Sequence, residues 1–154
     1  MTKNKPVRRK PISNTPINFR ISKEQQDAIK KPPHDSLNRF KNNKGDATDW
    51  SNIIFRIHVA VYIARQEYVQ DTADALYSVL KLCEGVMHHA MSNYPPVWVM
   101  TTDQIEIIES GLEAMDDIQD ETTRRIQLHA HLYAQKQIKS YKKKYDDYLN
   151  KLHA

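Results

Sequence analysis

The chain has 154 residues, 40% hydrophobic and 27% charged, with a formal net charge of +4, enough for one domain around one modest core. Its three glycines, Gly45, Gly85 and Gly111, are too few for a turn-rich all-β fold and too far apart for a glycine-rich phosphate loop. The single cysteine, Cys83, excludes an internal disulfide and a cysteine-rich metal site; with no signal peptide behind the basic start MTKNKPVRRK and no apolar run long enough to span a bilayer, the expected setting is a reducing cytoplasm without membrane contact.

Charge is segregated along the chain. Residues 1–44 carry twelve Lys/Arg against three Asp/Glu, residues 45–123 three against fourteen, and residues 124–154 eight against two. An acidic middle is flanked by two basic ends, so the net charge conceals the pattern. Residues 1–45 hold five of the seven prolines and few apolar side chains. They read as a flexible basic arm with a charge cluster at Arg8, Arg9 and Lys10. A short helix over 22–30 is suggested by Ser22 with Gln25 three residues on, a capping-box pattern, and Pro32–Pro33 should end it.

The first long helix is predicted from Thr48 or Asp49, as caps, through WSNIIFRIHVAVYIARQEYV. Apolar residues at 50, 53, 54, 57, 61, 64 and 68 recur at helical spacing, and Phe55, Val59 and Tyr62 add a second apolar face. A helix apolar over so much of its circumference needs more than one neighbour and should lie at the centre of a bundle. Asp71 or Thr72 then offers a new cap, and Leu76, Val79, Leu80, Cys83, Val86, Met87, Ala90 and Met91 make an amphipathic stripe. No Gly or Pro separates these two helices. A break is still expected, because one continuous helix would expose too much apolar side chain.

Pro95–Pro96 in NYPPVWVM stop the second helix, and Thr101 with Gln104 forms a capping box for a third. From there helix-forming residues run to the C-terminus, with Asp120–Arg124 and Glu121–Arg125 at i,i+4. A helix of about 48 residues would reach about 70 Å and overshoot its partners. Residues 136–154 are therefore expected to project unless they fold back or pair with another chain. In QIKSYKKKYDDYLNKL, Ile138, Tyr141, Tyr145, Tyr148 and Leu152 fall at spacings of 3, 4, 3 and 4, a heptad seam, with lysines on the flanks.

No catalytic or metal-ligating pattern is present. His88–His89 and His129–His131 diverge around a helix, and His at i,i+4, Glu-x-x-His, a nucleophile elbow and a Cys–His pairing cannot be read. His58 reads as a core or boundary residue. The expectation is a non-enzyme with no metal, cofactor or small-molecule substrate. Two binding surfaces stand out. Arg8, Arg9, Lys10, Lys142, Lys143 and Lys144 could neutralise the phosphates of DNA or RNA, with Tyr141 or Tyr145 stacking on exposed bases. The acidic ridge of Glu106, Glu109, Glu113, Asp116, Asp117 and Asp120 could dock a basic protein partner or the chain's own arm. Tyr94, Trp98, Tyr148 and Leu152 supply further partner-binding candidates, either in a hetero-complex or in a homodimer through the C-terminal helices.

The segment DWSNIIFRIHVAVYIA, followed by WVMTTDQ and MDDIQDETTRR, resembles small helical accessory proteins carried by bacterial plasmids and phages. The resemblance spans residues 49–135, rests on hydrophobic spacing, implies a mobile-element accessory protein, and assigns no site residue. The resulting expectation is an all-α protein: a basic arm over 1–45, a three-helix antiparallel bundle over 46–135, and a projecting, tyrosine-rich end of a long last helix over 136–154. Its expected role is regulatory or accessory, binding nucleic acid through both basic ends, with a protein-binding adaptor or inhibitor as the alternative.

Overall fold

The computed structural model describes residues 22–152, without the side chain of Leu152. The described residues are all-α, with five helices in chain order: α1 Lys23–Lys41, α2 Ala47–Glu67, α3 Gln70–Met91, α4 Thr102–Glu121 and α5 Arg124–Leu152. The expected count of three is corrected at both ends of the chain. Part of the expected arm is a helix, and the expected long last helix is two.

α1 opens as its sequence suggests, with Ser22 and Gln25 forming a reciprocal capping box. It does not end at Pro32–Pro33 but runs through both to Lys41. A proline inside a helix removes a hydrogen bond and costs about 3 kcal/mol. Here the turns beyond the prolines bury Pro33, Ser36, Leu37 and Phe40. Complete burial of a large apolar side chain contributes about 1.5–3 kcal/mol, so Leu37 and Phe40 offset much of the local penalty. The helix closes where Asn43 adopts φ 58°, with Lys44 N–H donating to the Arg39 carbonyl at 2.8 Å and Asn43 N–H to the Phe40 carbonyl at 3.1 Å. This is a Schellman closure with Asn in the left-handed position. Arg8, Arg9 and Lys10 lie outside the described residues.

α2 is the hub and packs against all four other helices. It starts at Ala47, capped by Asp46 in a reciprocal box with Asp49, rather than by Thr48 or Asp49. Trp50, Ile53, Ile54, Ile57, Val59, Ala60, Val61, Ile63 and Ala64 are all buried, as its two apolar faces require. The break before α3 falls at Tyr68, whose backbone is extended and whose ring is buried. Val69 takes the cap position without any side-chain cap, and Asp71 and Thr72 lie inside the first turn instead. Packing of Tyr68, whose hydroxyl donates to Glu121, stands where a capping side chain was expected.

α4 begins with the expected Thr101–Gln104 box and ends at Thr122, a buried residue with φ −82° and ψ 156°. Thr123 then accepts from Ile126 N–H through Oγ1 and restarts the helix. The chain folds back at this point, and α5 lies along α2. Residues 136–152 are therefore part of the bundle and do not project from it. Ala130, Ala134 and Tyr141 are buried against the core, with Ile138 and Tyr145 packed beside them. Tyr148 donates to the Asn93 carbonyl at 2.9 Å, tying the end of α5 to the end of α3. The heptad seam from Ile138 to Tyr148 thus packs on this chain's own helices.

Candidate nucleic-acid interface

Three of the six acids on the α4 ridge are met by α1. Lys30 pairs with Asp120, His34 Nε2 meets Asp116 Oδ2 at 2.8 Å, and Lys41 Nζ meets Glu109 Oε2 at 2.7 Å. Gln26 also donates to the Asp120 carbonyl. The inner side of the ridge is met by buried Arg56, which donates to Gln119 Oε1 at 2.7 Å and to the Met115 carbonyl at 2.9 Å, with Asp116 Oδ1 at 3.7 Å. Burial pulls the Arg56 pKa down to about 10, while Asp116 and Asp120 oppose that shift, so the guanidinium stays charged. Glu109 and Asp116 are therefore committed within the fold. Asp117 remains exposed, and Glu113 is half-buried.

A second charge device sits at the α1–α2 corner. Arg39 Nε donates to Asp49 Oδ2 at 2.8 Å. Burial works against the Asp49 charge, but hydrogen bonds from Arg39, Ser36 and the Asp46 backbone outweigh it and hold the carboxyl below its usual range.

The C-terminal half of α5 is different. Lys142, Lys143 and Lys144 are exposed and make no ion pair among the described residues. Lys144 Nζ sits 6.0 Å from the centroid of the Tyr141 ring, within cation–π range. The tyrosines named beside these lysines are not equivalent. Tyr141 is only 8% exposed, which removes it as a residue that stacks on a base. Its hydroxyl donates to Glu84 Oε2 at 2.7 Å and lies 2.9 Å from His58 Nε2. Since the single phenolic proton goes to Glu84, His58 is the donor to Tyr141 through Nε2–H. His58 Nδ1 is then an acceptor without a partner among the described residues. Burial, and then the Glu84 hydrogen bond, raise the Tyr141 pKa. Burial lowers that of His58 to about 4. A neutral imidazole donating to a phenol that donates in turn to the Glu84 side chain makes a strut between α2, α3 and α5.

Tyr145 is half-buried and belongs to an aromatic cluster that the sequence did not announce. Trp98, carried by the proline-containing segment after α3, lies 5.7 Å from Trp50 and 6.3 Å from Tyr145 between ring centroids. Trp50 meets Tyr141 edge-on at 5.2 Å and donates its indole N–H to the Cys83 carbonyl at 2.7 Å. These rings wall a pocket of about 350 Å³ that also involves Thr48, Ser51, Met87, Ile138, Lys142 and Asp146. Trp98 is thus a half-buried wall rather than an exposed aromatic, whereas Tyr94 is 59% exposed. Tyr148 is half-buried through its bond to Asn93, and the side chain of Leu152 lies outside the described residues. Of the residues named from sequence, Tyr141, Lys142 and Tyr145 come together here with Trp98, which was named for a protein partner. Trp50 was missed as a pocket-lining group, because an aromatic on a helix stripe reads as core.

A second concavity, of about 640 Å³, lies between the start of α1 and the start of α5. Leu128 and Leu132, 59% and 50% exposed, line it with Ile29. Both amide atoms of the buried Gln127 there have no partner among the described residues. Cys83 is fully buried, and burial pushes its thiol up to about 12, so it is no nucleophile. No helix among the described residues is long and apolar enough to cross a membrane. No protein-family model, curated protein or solved structure matches the chain.

Proposed function

We propose that the chain is a non-enzymatic, cytoplasmic regulatory or accessory protein that binds nucleic acid along the C-terminal half of α5, with Arg8, Arg9 and Lys10 adding phosphate contacts. The observation that carries this reading is the unequal fate of the charges. α1 and Arg56 answer Glu109, Asp116 and Asp120 of α4, while Lys142, Lys143 and Lys144 stand in solvent with no carboxylate partner among the described residues. Three ammonium groups at consecutive positions of one helix, spread around its outer side, give a local excess of positive charge that suits a phosphate backbone, where displaced counterions drive association. The alternative, an adaptor using the acidic face, loses Glu109 and Asp116 to α1.

The test is an electrophoretic mobility shift with labelled DNA and RNA across a salt series. Binding should weaken steeply as salt rises. Changing Lys142, Lys143 and Lys144 together to Gln should lower the salt slope by about two for a single strand, at roughly 0.7 per phosphate contact. Absence of any shift at low salt, or a triple variant that binds like the parent, would sink the reading.

A further inference from the structure

We infer that the aromatic pocket beneath Lys142 holds one unpaired nucleobase of a bound strand, making the protein selective for single-stranded over duplex nucleic acid. This rests on the reading that α5 binds nucleic acid. Three observations support it. First, the polar tips of the two rings at the back are already engaged: the Trp50 indole N–H is held by the Cys83 carbonyl and the Tyr141 hydroxyl by Glu84 and His58. Those side chains can therefore present only carbon surface to the pocket. Second, Trp98 and Tyr145 meet at an interplanar angle of 49°. They form a corner rather than a slot, so a flat ring that stacks on one meets the other at a tilt. Third, Lys142 lines the same pocket, and Lys143 and Lys144 follow it in the chain. A base in the corner would carry its own phosphate to the ammonium groups.

Other chemistries fit less well. A pocket of about 350 Å³ is at the small end of the ligand-site range of roughly 300–1,000 Å³, which suits one ring system with its sugar. An aliphatic ligand would leave the polar groups of Lys142 and Asp146 unanswered. Thr48, Ser51 and Asp146 lie where they can meet the edge of the base. A paired base inside a duplex cannot enter the corner without leaving its stack, whereas a single strand offers its π-faces freely.

Intrinsic tryptophan fluorescence reports on the pocket, because both tryptophans line it. The chain is titrated with a single-stranded 15-mer, the matching duplex, and the corresponding mononucleotide. The single strand should quench the emission and bind at least tenfold more tightly than the duplex. Tyr145→Leu, which keeps apolar volume at a half-buried position, should cost the single strand about tenfold, the scale of one lost base stack, and leave duplex binding unchanged. In case Tyr145→Leu disturbs the fold, a 5-bromouracil-containing strand is photo-crosslinked to the unaltered protein, and the adduct should map to Trp98 or Tyr145. Equal binding of strand and duplex without quenching, or adducts only outside the pocket, overturns the inference while leaving the α5 reading intact. A mononucleotide that binds as tightly as the strand also overturns it, because the occupant is then a free nucleotide. Failure of every nucleic acid to bind at low salt removes the α5 reading itself.

Discussion

Acidification from pH 7 to pH 4.5 should weaken the fold by an amount that one residue largely sets. His58 is 3% exposed, donates to Tyr141, and has an imidazole held down to about 4 against an ordinary 6.5, because burial penalises its charged form. Glu84 pulls the other way, and Arg65 adds to the depression. The unfolded chain takes up a proton at this histidine below about pH 6.5 and the folded chain does not, so stability rises with pH across the window from about 4 to 6.5. Each unit of separation corresponds to about 1.4 kcal/mol, and integration from pH 7 to 4.5 gives a loss of about 2 kcal/mol. At a urea dependence of about 2 kcal/mol per molar, the unfolding midpoint should fall by about 1 M. His131, also lowered by burial and by Arg56, adds a loss of the same sign. His58→Gln places an amide nitrogen near the position of Nε2 and removes the titration. It should therefore lose stability at pH 7 but show a shallower decline toward pH 4.5. Urea melts followed by circular dichroism at both pH values measure this difference. If His58→Gln declines as steeply as the parent, His58 is not buried as a neutral donor and the strut to Tyr141 is wrong.

The same small substitution should act in opposite directions at two glycines. A Cβ on Gly45 would fall 2.3–2.5 Å from three atoms of the Phe40 ring, and that ring is buried and cannot swing away, so Gly45→Ala should cost about 1–3 kcal/mol. Gly85 is exposed within α3 with nothing within 4 Å of its Cβ position, so Gly85→Ala should add about 0.5–1 kcal/mol through helix propensity. Thermal melts of the two variants should move apart, and a shared direction would refute the packing assigned to Phe40. Cys83 should resist iodoacetamide at pH 8 in the folded protein and react at the rate of a free thiol in denaturant, since burial pushes its pKa up to about 12. Rapid labelling of the native chain, read by mass, would contradict its placement in the core.

Much of the fold was legible wherever local chemistry and packing agree. The boxes at Ser22–Gln25 and Thr101–Gln104 are self-contained signals, and both form. The periodicity of α2 and α3 is strong enough to set their faces. The failures are places where distant contacts decide. Pro32 and Pro33 speak for a helix end, but Leu37 and Phe40 can be buried only if the helix continues through them. The position of the α2–α3 break follows the burial of Tyr68, which a search for cap residues cannot detect. In the C-terminal half of α5, the lysines were separable from the tyrosines by the heptad period alone. That Tyr141 is buried while Tyr145 lines a pocket depends on Trp98 arriving from another segment.

The fold-back at Thr122–Thr123 shows how a missing local signal can be supplied by area. No glycine or proline marks the site, and the sequence DETTRR is compatible with a continuing helix. Yet α2 carries apolar side chains over most of its circumference: Ile53, Ile57 and Ala64 on one side, Val59 and Ile63 on another, all fully buried. Two neighbouring helices can cover two lines along such a cylinder and leave the rest in water. At about 25 cal/mol per Å² of exposed apolar surface, one uncovered face of a helix this long would cost several kcal/mol. A single helix of about 48 residues would provide one line of contact and spend its second half beyond the end of α2. Broken at two threonines, the same residues provide two lines, α4 and α5, and the second brings Tyr141 to His58. The β-branched pair is a weak helix stretch whose first residue accepts extended backbone readily, and Thr123 caps the restart. The demand for the break lies in the composition of α2, some sixty residues earlier in the chain.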